Sequence, residues 1–474
     1  MSARRIFVSA DHGLAIVYFL QTELIPVLLD AGVEVVVLTD DGLVEELNLR
    51  FGKPGLVIEG LRLKQVRAYL QNYHNAEQWW LDFYRRAGAS LRMNLETVDN
   101  YVRWVESEAP HRRKAIFPVV KAGVEFMRRS RLARRALVCA QQRFTPDVYA
   151  DLFERYRPDL VVASTPGWRL DRYLLREAAG RGMKTAAIVL GWDNPSSHGL
   201  PGAHVDWISC WSEAQKRELM DGSDWRPEQV HVGGIPSYDG YFRKEWLMPR
   251  QEYFQLHGLD PDRRLLAYAC SFVTYSPNIQ NIEALARLVA CNRLAEPCQL
   301  LVRLHPNHFT NVKRWANERE QIRQLVSQTP HTHLVEPVPL GGELGYYSGE
   351  DMPEKSSMMG HADVFLTVYS TMVVETSIHG TPIVSVVIDS PTGWPGEYTL
   401  PLSRIGDWPT HSRFRRSGAG RVATNEVELE QVINGYLNEP ARDQAAQQAF
   451  VRQECTFTDG HAGRRTGKYL ASLI

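Results

Sequence analysis

The stretch DVFLTVYSTMVVETSIHGTPIVSVVI, residues 363–388, decides the fold. Asp363–Val368 and Ile383–Ile388 are apolar runs without the alternation that a strand with one wet face would show. Between them, Gly380 marks the end of a short helix, and Pro382 prevents that helix from continuing. The stretch therefore predicts a buried strand, a helix and a second buried strand of a parallel sheet.

The same alternation of strands and helices extends from this stretch in two separate blocks. The rest of the second block predicts strands over Arg264–Cys270, Gln299–Leu304 and His333–Glu336 and a helix over Asn278–Leu294. The first block predicts strands over Arg5–Ser9, Val33–Leu38, Leu160–Ala163, Thr185–Val189, Val205–Cys210 and Val230–Val232, with helices over Tyr18–Asp30 and Asp171–Ala179.

Two blocks in 474 residues predict an α/β chain of two doubly wound, Rossmann-like domains facing one central cleft. The predicted N-terminal domain spans 1–245 and carries a helical, aromatic and basic insertion at about 61–143. The predicted C-terminal domain spans 262–445, and a helix within 446–474 is expected to pack back on the N-terminal domain. Ligands of such sheets collect at the C-terminal ends of the strands.

Composition is that of an ordinary globular protein, with 44% hydrophobic and 23% charged residues. Lys and Arg total 54 against 55 Asp and Glu, so no global field attracts nucleic acid. The six cysteines are scattered without a zinc spacing, which predicts reduced core thiols. No signal peptide and no window of about 20 apolar residues is found, so we expect a cytoplasmic protein, at most peripheral at the inner face of the membrane.

The strongest candidate for ligand binding is Arg303-Leu304-His305-Pro306-Asn307, at the end of a predicted strand. Arg and His donate charge-assisted hydrogen bonds to phosphate, and Pro306 fixes the turn that presents them. The alternative is that His305 only ties down the loop.

Ser370 and Thr371 are a second candidate, since they stand between the predicted strand and helix of the opening stretch. Free N–H groups and the helix dipole would bind a phosphate there, and Glu375, one turn further on, would accept hydrogen bonds from a ribose. An ordinary helix cap with a buried polar turn is the alternative.

Two loops of the first block complete the set of polar strand ends. Trp192, Asp193 and Asn194 begin a turn-rich loop after a buried strand, which fits either a binding loop in the cleft or a tight Asx turn. Asp11 and His12 follow the first strand, where either could deprotonate an acceptor hydroxyl. The carboxylates show no metal-like spacing, so neither a metal nor a cofactor is expected.

A basic run extends from His111 to Arg135, with Trp79, Trp80 and Trp104 upstream. It fits either a solvated helix face or a surface for anionic lipid or a polyanionic acceptor.

Taken together, these motifs resemble known transferases. The segments RLHPN (303–307), STMVVETSIHGTPIV (370–384) and DGHAGRR (459–465) are similar to CDP-glycerol glycerophosphotransferases and to bacterial capsule polysaccharide and sialyl transferases. The resemblance implies a GT-B fold, in which His305, Pro306, Ser370, Thr371 and Glu375 bind the nucleotide donor. The Asp/Glu-Asp-Gly signature of the sialyltransferases is missing from the N-terminal half.

The resemblance also implies a reaction. A sugar or glycerol-phosphate group would move from a CMP-, CDP- or UDP-linked donor to a hydroxyl of a cell-surface polysaccharide or lipid-linked acceptor, without a metal. The alternatives are an isomerase resembling UDP-GlcNAc 2-epimerase and a non-catalytic protein that binds nucleotide sugars.

Overall fold

The structure of the chain is a computed structural model that describes residues 4–271, 278–309, 312–389 and 400–474. The chain divides into two compact units. The first contains Met1–Asp239, Leu340–Tyr347 and Cys455–Ile474, and the second contains Gly240–Pro339 and Ser348–Glu454.

The first unit is built on a seven-stranded parallel sheet in the order β3-β2-β1-β4-β5-β6-β7. Its strands are β1 Arg4–Ser9, β2 Val33–Thr39, β3 Leu56–Gly60, β4 Leu160–Ala163, β5 Lys184–Ile188, β6 Trp207–Cys210 and β7 Val230–Val232. In β1, Ile6, Phe7 and Val8 are fully buried, which explains why the strand has no polar face.

The second unit is built on a six-stranded sheet in the order β10-β9-β8-β13-β14-β15, and its recorded strand pairs are parallel. Its strands are β8 Arg264–Ala269, β9 Cys298–Arg303, β10 Thr332–Val335, β13 Val364–Thr367, β14 Ile383–Val386 and β15 Arg421–Ala423. Two further strands, β11 Pro339–Gly341 and β12 Tyr346–Tyr347, form a separate two-stranded sheet that lies almost wholly in the first unit. Arg303, Ala269 and Thr367 lie level with one another at the ends of β9, β8 and β13.

The helices up to the end of the first sheet are α1 Ala15–Leu20, α2 Leu24–Asp30, α3 Val44–Phe51, α4 Leu63–Asn72, α5 Asn75–Ala87, α6 Glu96–Glu108, α7 His111–Lys114, α8 Phe117–Arg129, α9 Arg131–Ala140, α10 Ala150–Tyr156, α11 Asp171–Gly180, α12 Asn194–Ser197 and α13 Glu213–Ser223. Helices α4–α9 form the insertion between β3 and β4. The following helices are α14 Asp239–Phe242, α15 Arg250–His257, α16 Ile279–Ala290, α17 Lys313–Gln328, α18 Met352–His361, α19 Met372–His379, α20 Leu402–Ile405, α21 Pro409–Ser417, α22 Glu426–Asn438, α23 Gln444–Cys455 and α24 Ala462–Ala471.

One predicted helix is two in the structure. The prediction of a single helix over Tyr18–Asp30 was wrong, because α1 ends at Leu20 and α2 begins at Leu24. Pro26 has no N–H and its ring would clash with the carbonyl of residue 22 in a continuous helix. In the first turn of α2 the missing N–H costs nothing, and the Thr22 hydroxyl accepts the Leu24 N–H at 3.3 Å.

Two segments distant in sequence pack into the first unit. The hydroxyl of Tyr346 donates to the Ala10 carbonyl and accepts the Asp40 N–H, while the Tyr347 N–H donates to the Gly13 carbonyl at 2.9 Å. Helix α24 packs on α2.

Within the described ranges, no helix is both long and apolar enough to cross a membrane. The six cysteines are free thiols, but the prediction that all lie in the core was wrong for Cys139 and Cys291, which are exposed.

Candidate functional site

Each sheet reverses its strand order at one point, and ligands of open α/β sheets bind at such points. In the first sheet the reversal lies between β1 and β4, and in the second it lies between β8 and β13. Every sequence-predicted polar loop follows a strand at or next to one of these points: the loops after β1 and β5 in the first unit, and those after β9 and β13 in the second.

At the first reversal, Asp11 lies beside Asp171 and Arg169. Asp11 is 1% exposed, and its Oδ2 accepts the Asp171 N–H at 2.8 Å. Its Oδ1 has no hydrogen bond of good geometry within the described residues, and Arg169 Nε lies 3.5 Å away. Burial raises the pKa of Asp11, and the Arg169 guanidinium opposes the rise. A buried carboxylate oxygen without a full set of partners is an unusual feature, and it marks a candidate for chemistry.

Asp171 is the second member of this acidic pair. Its carboxylate accepts the N–H and the hydroxyl of Thr165 at 2.8–2.9 Å. Burial, reinforced by the neighbouring Asp11 carboxylate, raises the pKa of Asp171 to about 8. Because each carboxylate disfavours ionisation of the other, the Asp11–Asp171 pair shares one proton at neutral pH.

His12 faces the same region as His198. Burial, with the Arg169 charge, lowers the pKa of His12 to about 3, so the imidazole is neutral at pH 7. Its Nδ1 accepts the Leu14 N–H at 3.1 Å, which places the remaining proton on Nε2. The pKa of His198 also lies well below its usual value through burial and the nearby Arg86 and Arg85 cations, and a charge on His12 would lower it further. The loops after β1 and β5 are thus brought together.

The structure corrects one residue of the predicted cleft loop. Trp192 is 1% exposed, so its indole is part of the core and cannot line a binding surface. Asp193 is half-buried, its Oδ2 accepts the Ser197 hydroxyl at 3.4 Å, and burial raises its pKa. Asn194 begins the one-turn helix α12 and is 8% exposed. The loop is a compact turn whose polar side chains are largely committed to it.

In the second unit, a short turn over Pro306–Phe309 follows β9 and fixes His305. His305 Nδ1 accepts the Asn307 N–H at 3.1 Å, and the His305 N–H donates to His308 Nδ1 at 3.1 Å. His308 is itself anchored by the buried Glu318 at 2.9 Å. His308 therefore holds the loop against the core, so His305 is not the only residue that fixes the loop.

The electrostatics of His305 differ from the predicted cation. Burial, with the charges of His308, Lys355 and Arg303, lowers the pKa of His305 to about 3. The imidazole is therefore neutral, with its proton on Nε2, and would meet a phosphate as a neutral donor.

Arg303 does not have the geometry of a phosphate ligand. Its guanidinium is buried and forms ion pairs with Asp351 and Glu354 of the α18 region. Two carboxylates neutralise its charge, so the prediction that it contacts the donor is replaced by a structural role. Arg303 joins the end of β9 to α18.

Ser370 and Thr371 stand immediately before α19, as predicted. The strand ends at Thr367, and Tyr369 then takes a left-handed conformation with φ of 39°, which is strained for a residue with a side chain. Among the described residues, no acceptor pairs with the backbone N–H groups of Ser370 and Thr371, although the Met372 N–H donates to Ser370 Oγ at 3.3 Å. The helix ends at Gly380, whose φ is +75°.

Glu375 is already occupied by two neighbours. It is 4% exposed, and its Oε2 accepts the Tyr241 hydroxyl at 2.7 Å and lies 2.6 Å from Lys355 Nζ. Both contacts are made by Oε2, so a ribose contact would fall to Oε1, and it stays a prediction. Glu375 thus holds the Lys355 ammonium, whose charge contributes to the lowered pKa of His305.

The structure brings His305 and Ser370 to one sheet edge. Arg303 and Thr367 lie level across β8, so the two loops start about 10 Å apart at ordinary strand spacing. The prediction that both follow strands at the same edge is confirmed.

Sequence reasoning missed Arg169, Asp171, Lys355 and Tyr241. The turn-rich segment after β4, TPGWRLD (165–171), carries the signal of a strand-end loop and could have indicated the first two. Lys355 and Tyr241 lie within helices and have no local motif.

No group of three or more His, Cys, Asp or Glu side chains in the described part of the chain is placed to hold a metal. That the site works without a metal stays a prediction.

Comparison with known proteins gives matches at the level of structure. No protein-family profile and no curated protein sequence matches the chain. The structure is similar to UDP-GlcNAc 2-epimerase from Neisseria meningitidis, solved with UDP-GlcNAc, at 12% identity, a TM-score of 0.52, and coverage of 99% of this chain and 100% of that one. A glycosyltransferase from Rickettsia africae matches at 9% identity and a TM-score of 0.52, with 100% and 98% covered.

Sucrose-phosphate synthase from Thermosynechococcus elongatus matches at 10% identity and a TM-score of 0.54, with 99% of each chain covered. At such identities the likeness establishes the fold and leaves the substrate open. The chain has the GT-B α/β fold, with two parallel Rossmann-like sheets of seven and six strands.

Proposed function

We propose that this chain is a GT-B transferase that moves a sugar or glycerol-phosphate group from a nucleotide-activated donor to a hydroxyl of a cell-surface polysaccharide or lipid-linked acceptor. One observation carries the proposal. The backbone N–H groups of Ser370 and Thr371, at a helix N-terminus, share a sheet edge with the neutral donor His305. Such a set suits the phosphates of a nucleoside diphosphate better than a carboxylate or a sugar hydroxyl alone.

In the proposed donor site, His305 Nε2–H and the start of α19 bind the phosphates, while Pro306 fixes the turn after β9. Lys355 is the cation proposed to face the phosphates, since its charge acts on His305 and Glu375 holds its ammonium. Arg303 and Glu375 are positioning residues in this scheme, because each holds a neighbour of the phosphates. Negative charge that develops on the leaving nucleotide is stabilised by these donors.

Asp11 is the proposed base for the acceptor hydroxyl. Its raised pKa and unsatisfied Oδ1 suit proton abstraction near neutral pH. His12 is less suited, because Nδ1 already accepts the Leu14 N–H and Nε2 carries the proton. We assign His12 the role of a hydrogen-bond donor to the reacting groups.

The structural neighbours support the class of donor. The epimerase from Neisseria meningitidis was solved with UDP-GlcNAc, and the match covers nearly the whole of both chains. CMP-, CDP- and UDP-linked donors are all compatible with a site that recognises phosphates.

A second candidate function is an isomerase resembling UDP-GlcNAc 2-epimerase. The observation that favours it is the set of buried titratable groups after the strands of the first sheet, where Asp11 acts on Asp171 and His12 acts on His198. An epimerase needs acid and base groups on a sugar ring and no acceptor.

An experiment separates these functions. Purified protein is incubated with CDP-glycerol, CMP-sialic acid and a set of UDP-sugars, with and without a polysaccharide or lipid-linked acceptor. The products are identified by mass spectrometry, and NMR distinguishes sugars of equal mass. Transfer predicts a product that requires both donor and acceptor. A product formed without acceptor, with unchanged mass and altered sugar configuration, would replace the transferase proposal by the isomerase, and binding without turnover would reduce the protein to a nucleotide-sugar binder.

A further inference from the structure

The helical insertion contains a groove that has no role in the proposed function. Its volume is about 860 Å³, and it is lined by residues of α5, α6 and α7 and by the start of α8. We call it the Trp groove, after its most prominent side chains, Trp79, Trp80 and Trp104. This volume lies within the range of about 300–1,000 Å³ that is usual for small-molecule sites.

The walls of the Trp groove are mostly apolar and partly open to solvent. Trp79 is 45% exposed, Trp104 is 43% exposed and Ile116 is 45% exposed. Large apolar side chains that cluster at a surface and stay exposed mark interaction sites more often than solitary ones do. Their exposure is costly unless a ligand covers them.

The aromatic walls are held in place by their neighbours. Trp79 stacks on Phe83 with ring centroids 5.7 Å apart and meets Trp80 edge-on at 4.9 Å. Tyr101 and Trp104 lie 6.1 Å apart. A site whose walls are already ordered binds without the cost of ordering them.

The groove itself is lined by one cation, Arg113, and one carboxylate, Glu108, and the chain that follows is basic. Besides the Tyr101 hydroxyl and the indole N–H groups, its polar or charged lining side chains are Asn75, Glu108 and Arg113. Between His111 and Arg135 the chain has nine Lys or Arg residues against a single acidic one. Five of these cations pair with carboxylates. In the described part of the chain, four form no ion pair: Arg112, Arg113, Lys114 and Arg135.

We propose that the Trp groove binds the hydrocarbon chain of an amphiphile whose phosphate head group is held by Arg113. A hydrocarbon chain needs no hydrogen-bond partners, so aromatic and aliphatic walls are sufficient to bind it. A sugar of similar size would bring more hydroxyls than the few polar groups of the lining can pair, and each unpaired group costs free energy. Arg113, which forms no ion pair within the described residues, selects an anionic head over a neutral one. That this amphiphile is the lipid-linked acceptor rests on the proposed function, whereas binding of the chain itself does not.

The test uses the whole protein and dodecyl phosphate below its micelle concentration, with tryptophan fluorescence and calorimetry as readouts. Dodecyl glucoside has the same chain with a neutral head, inorganic phosphate has the head alone, and maltotetraose represents a carbohydrate. We expect saturable binding of dodecyl phosphate and weaker binding of dodecyl glucoside. Inorganic phosphate and maltotetraose are not expected to bind in the groove.

Variants locate the binding. Trp104→Ala is expected to weaken the binding of dodecyl phosphate about tenfold. Arg113→Gln is expected to weaken it about two- to fivefold and to leave the binding of dodecyl glucoside unchanged. The matched controls are Phe126→Ala and Arg112→Gln, which alter exposed residues of the insertion that do not line the groove. Trp79→Ala is a second groove variant, and far-ultraviolet circular dichroism verifies that each variant folds.

The outcomes are distinct. Equal binding by Trp104→Ala, Trp79→Ala and the controls would overturn the proposal, as would binding of maltotetraose without binding of dodecyl phosphate. Nucleotide binding is measured on the same variants and is expected to be unchanged. If dodecyl phosphate binds in the groove while no nucleotide donor is turned over, the proposed function fails and the groove assignment stands.

Discussion

His12 and His305 are built in the same way in the two units. Each follows a strand of its sheet, each Nδ1 accepts the backbone N–H two residues later at 3.1 Å, and burial lowers the pKa of each to about 3. This local hydrogen bond fixes the tautomer, so both rings present Nε2–H. The consequence is that neither ring changes its charge near neutral pH, and binding through them should not vary between pH 6 and 8.

The residue His305 gives the first prediction. His305→Ala is expected to lower the affinity for a nucleoside diphosphate by about 1.5–3 kcal/mol, because it removes a hydrogen bond to a charged group. Calorimetric titration measures the loss, and His333→Ala, a half-buried histidine on β10, is the matched control. Wild-type affinity in folded His305→Ala would remove this residue from the donor site.

Asp11 gives a second prediction at this scale. Asp11→Asn keeps an oxygen that can accept the Asp171 N–H, so the fold should be preserved. Loss of the base is expected to lower the rate of transfer about 10²–10⁴-fold, with nucleotide affinity unchanged. Single-turnover kinetics measure the rate. If Asp11→Asn turns over at the wild-type rate, the base lies elsewhere, and His12→Gln becomes the next variant to measure.

The ends of helix α19 could be predicted from the sequence, but its contacts with other elements could not. Gly380 and Pro382 determine its end, and the polar pair Ser370-Thr371 marks its start, since all these signals are local. Lys355 and Tyr241 could not be predicted, because each meets Glu375 only through packing of α18 and of the segment after β7. The ion pairs of Arg303 could not be predicted for the same reason, since its partners Asp351 and Glu354 lie about 50 residues further on.

Helix α8 carries an exposed apolar face that supports a third prediction. Val119 and Phe126 are 75% and 64% exposed on the side opposite the buried Val120 and Val124, and Leu132 of α9 is 77% exposed. With the unpaired cations, this face is expected to bind vesicles containing phosphatidylserine at low salt and to release them at high salt.

Vesicle flotation measures this binding. Arg112→Gln/Lys114→Gln should weaken it by about 1 kcal/mol per cation, and Val119→Asp/Phe126→Asp should abolish it. Lys53→Gln/Arg452→Gln removes two exposed cations elsewhere and is the control. No flotation of the wild type at low salt would return the basic run to a solvated helix face.

For the whole molecule, buried titratable groups predict how stability changes with pH. The folded pKa of Asp171, about 8, is above its unfolded value, so the folded state binds more protons and stability falls as pH rises through this window. The buried histidines act oppositely, but only below about pH 6.5. Between pH 6.5 and 8 the midpoint of thermal unfolding should therefore fall.

Asp171→Asn tests this prediction, because an amide has no proton to lose. The variant should lack the fall of up to about 1.4 kcal/mol per pH unit that one group contributes. Parallel curves for wild type and Asp171→Asn across this range would show that the acidic pair does not hold a proton.

The two sheets were predictable from the sequence because parallel strands buried on both faces are continuous apolar runs. The short strands β3 and β15 were missed, and so was the hairpin of β11 and β12. Residues 340–347 join the first unit through Tyr346 and Tyr347, whose partners Ala10, Asp40 and Gly13 lie more than 300 residues away. No local pattern records such a contact.

The central claim is that the start of α19 binds the phosphates of a nucleotide donor, and Thr371→Asp tests it most directly. A carboxylate at a helix N-cap stabilises the helix, yet its charge repels a phosphate. Asn425→Asp places the same charge at the N-cap of α22 in the same unit and is the matched control. The measurement is calorimetric titration of CDP, UDP and CMP into the three proteins. We predict that wild type and Asn425→Asp bind at least one of these nucleotides alike and that Thr371→Asp loses at least about a hundredfold in affinity. Equal binding by all three proteins, or no binding of any nucleotide to the wild type, would contradict the account.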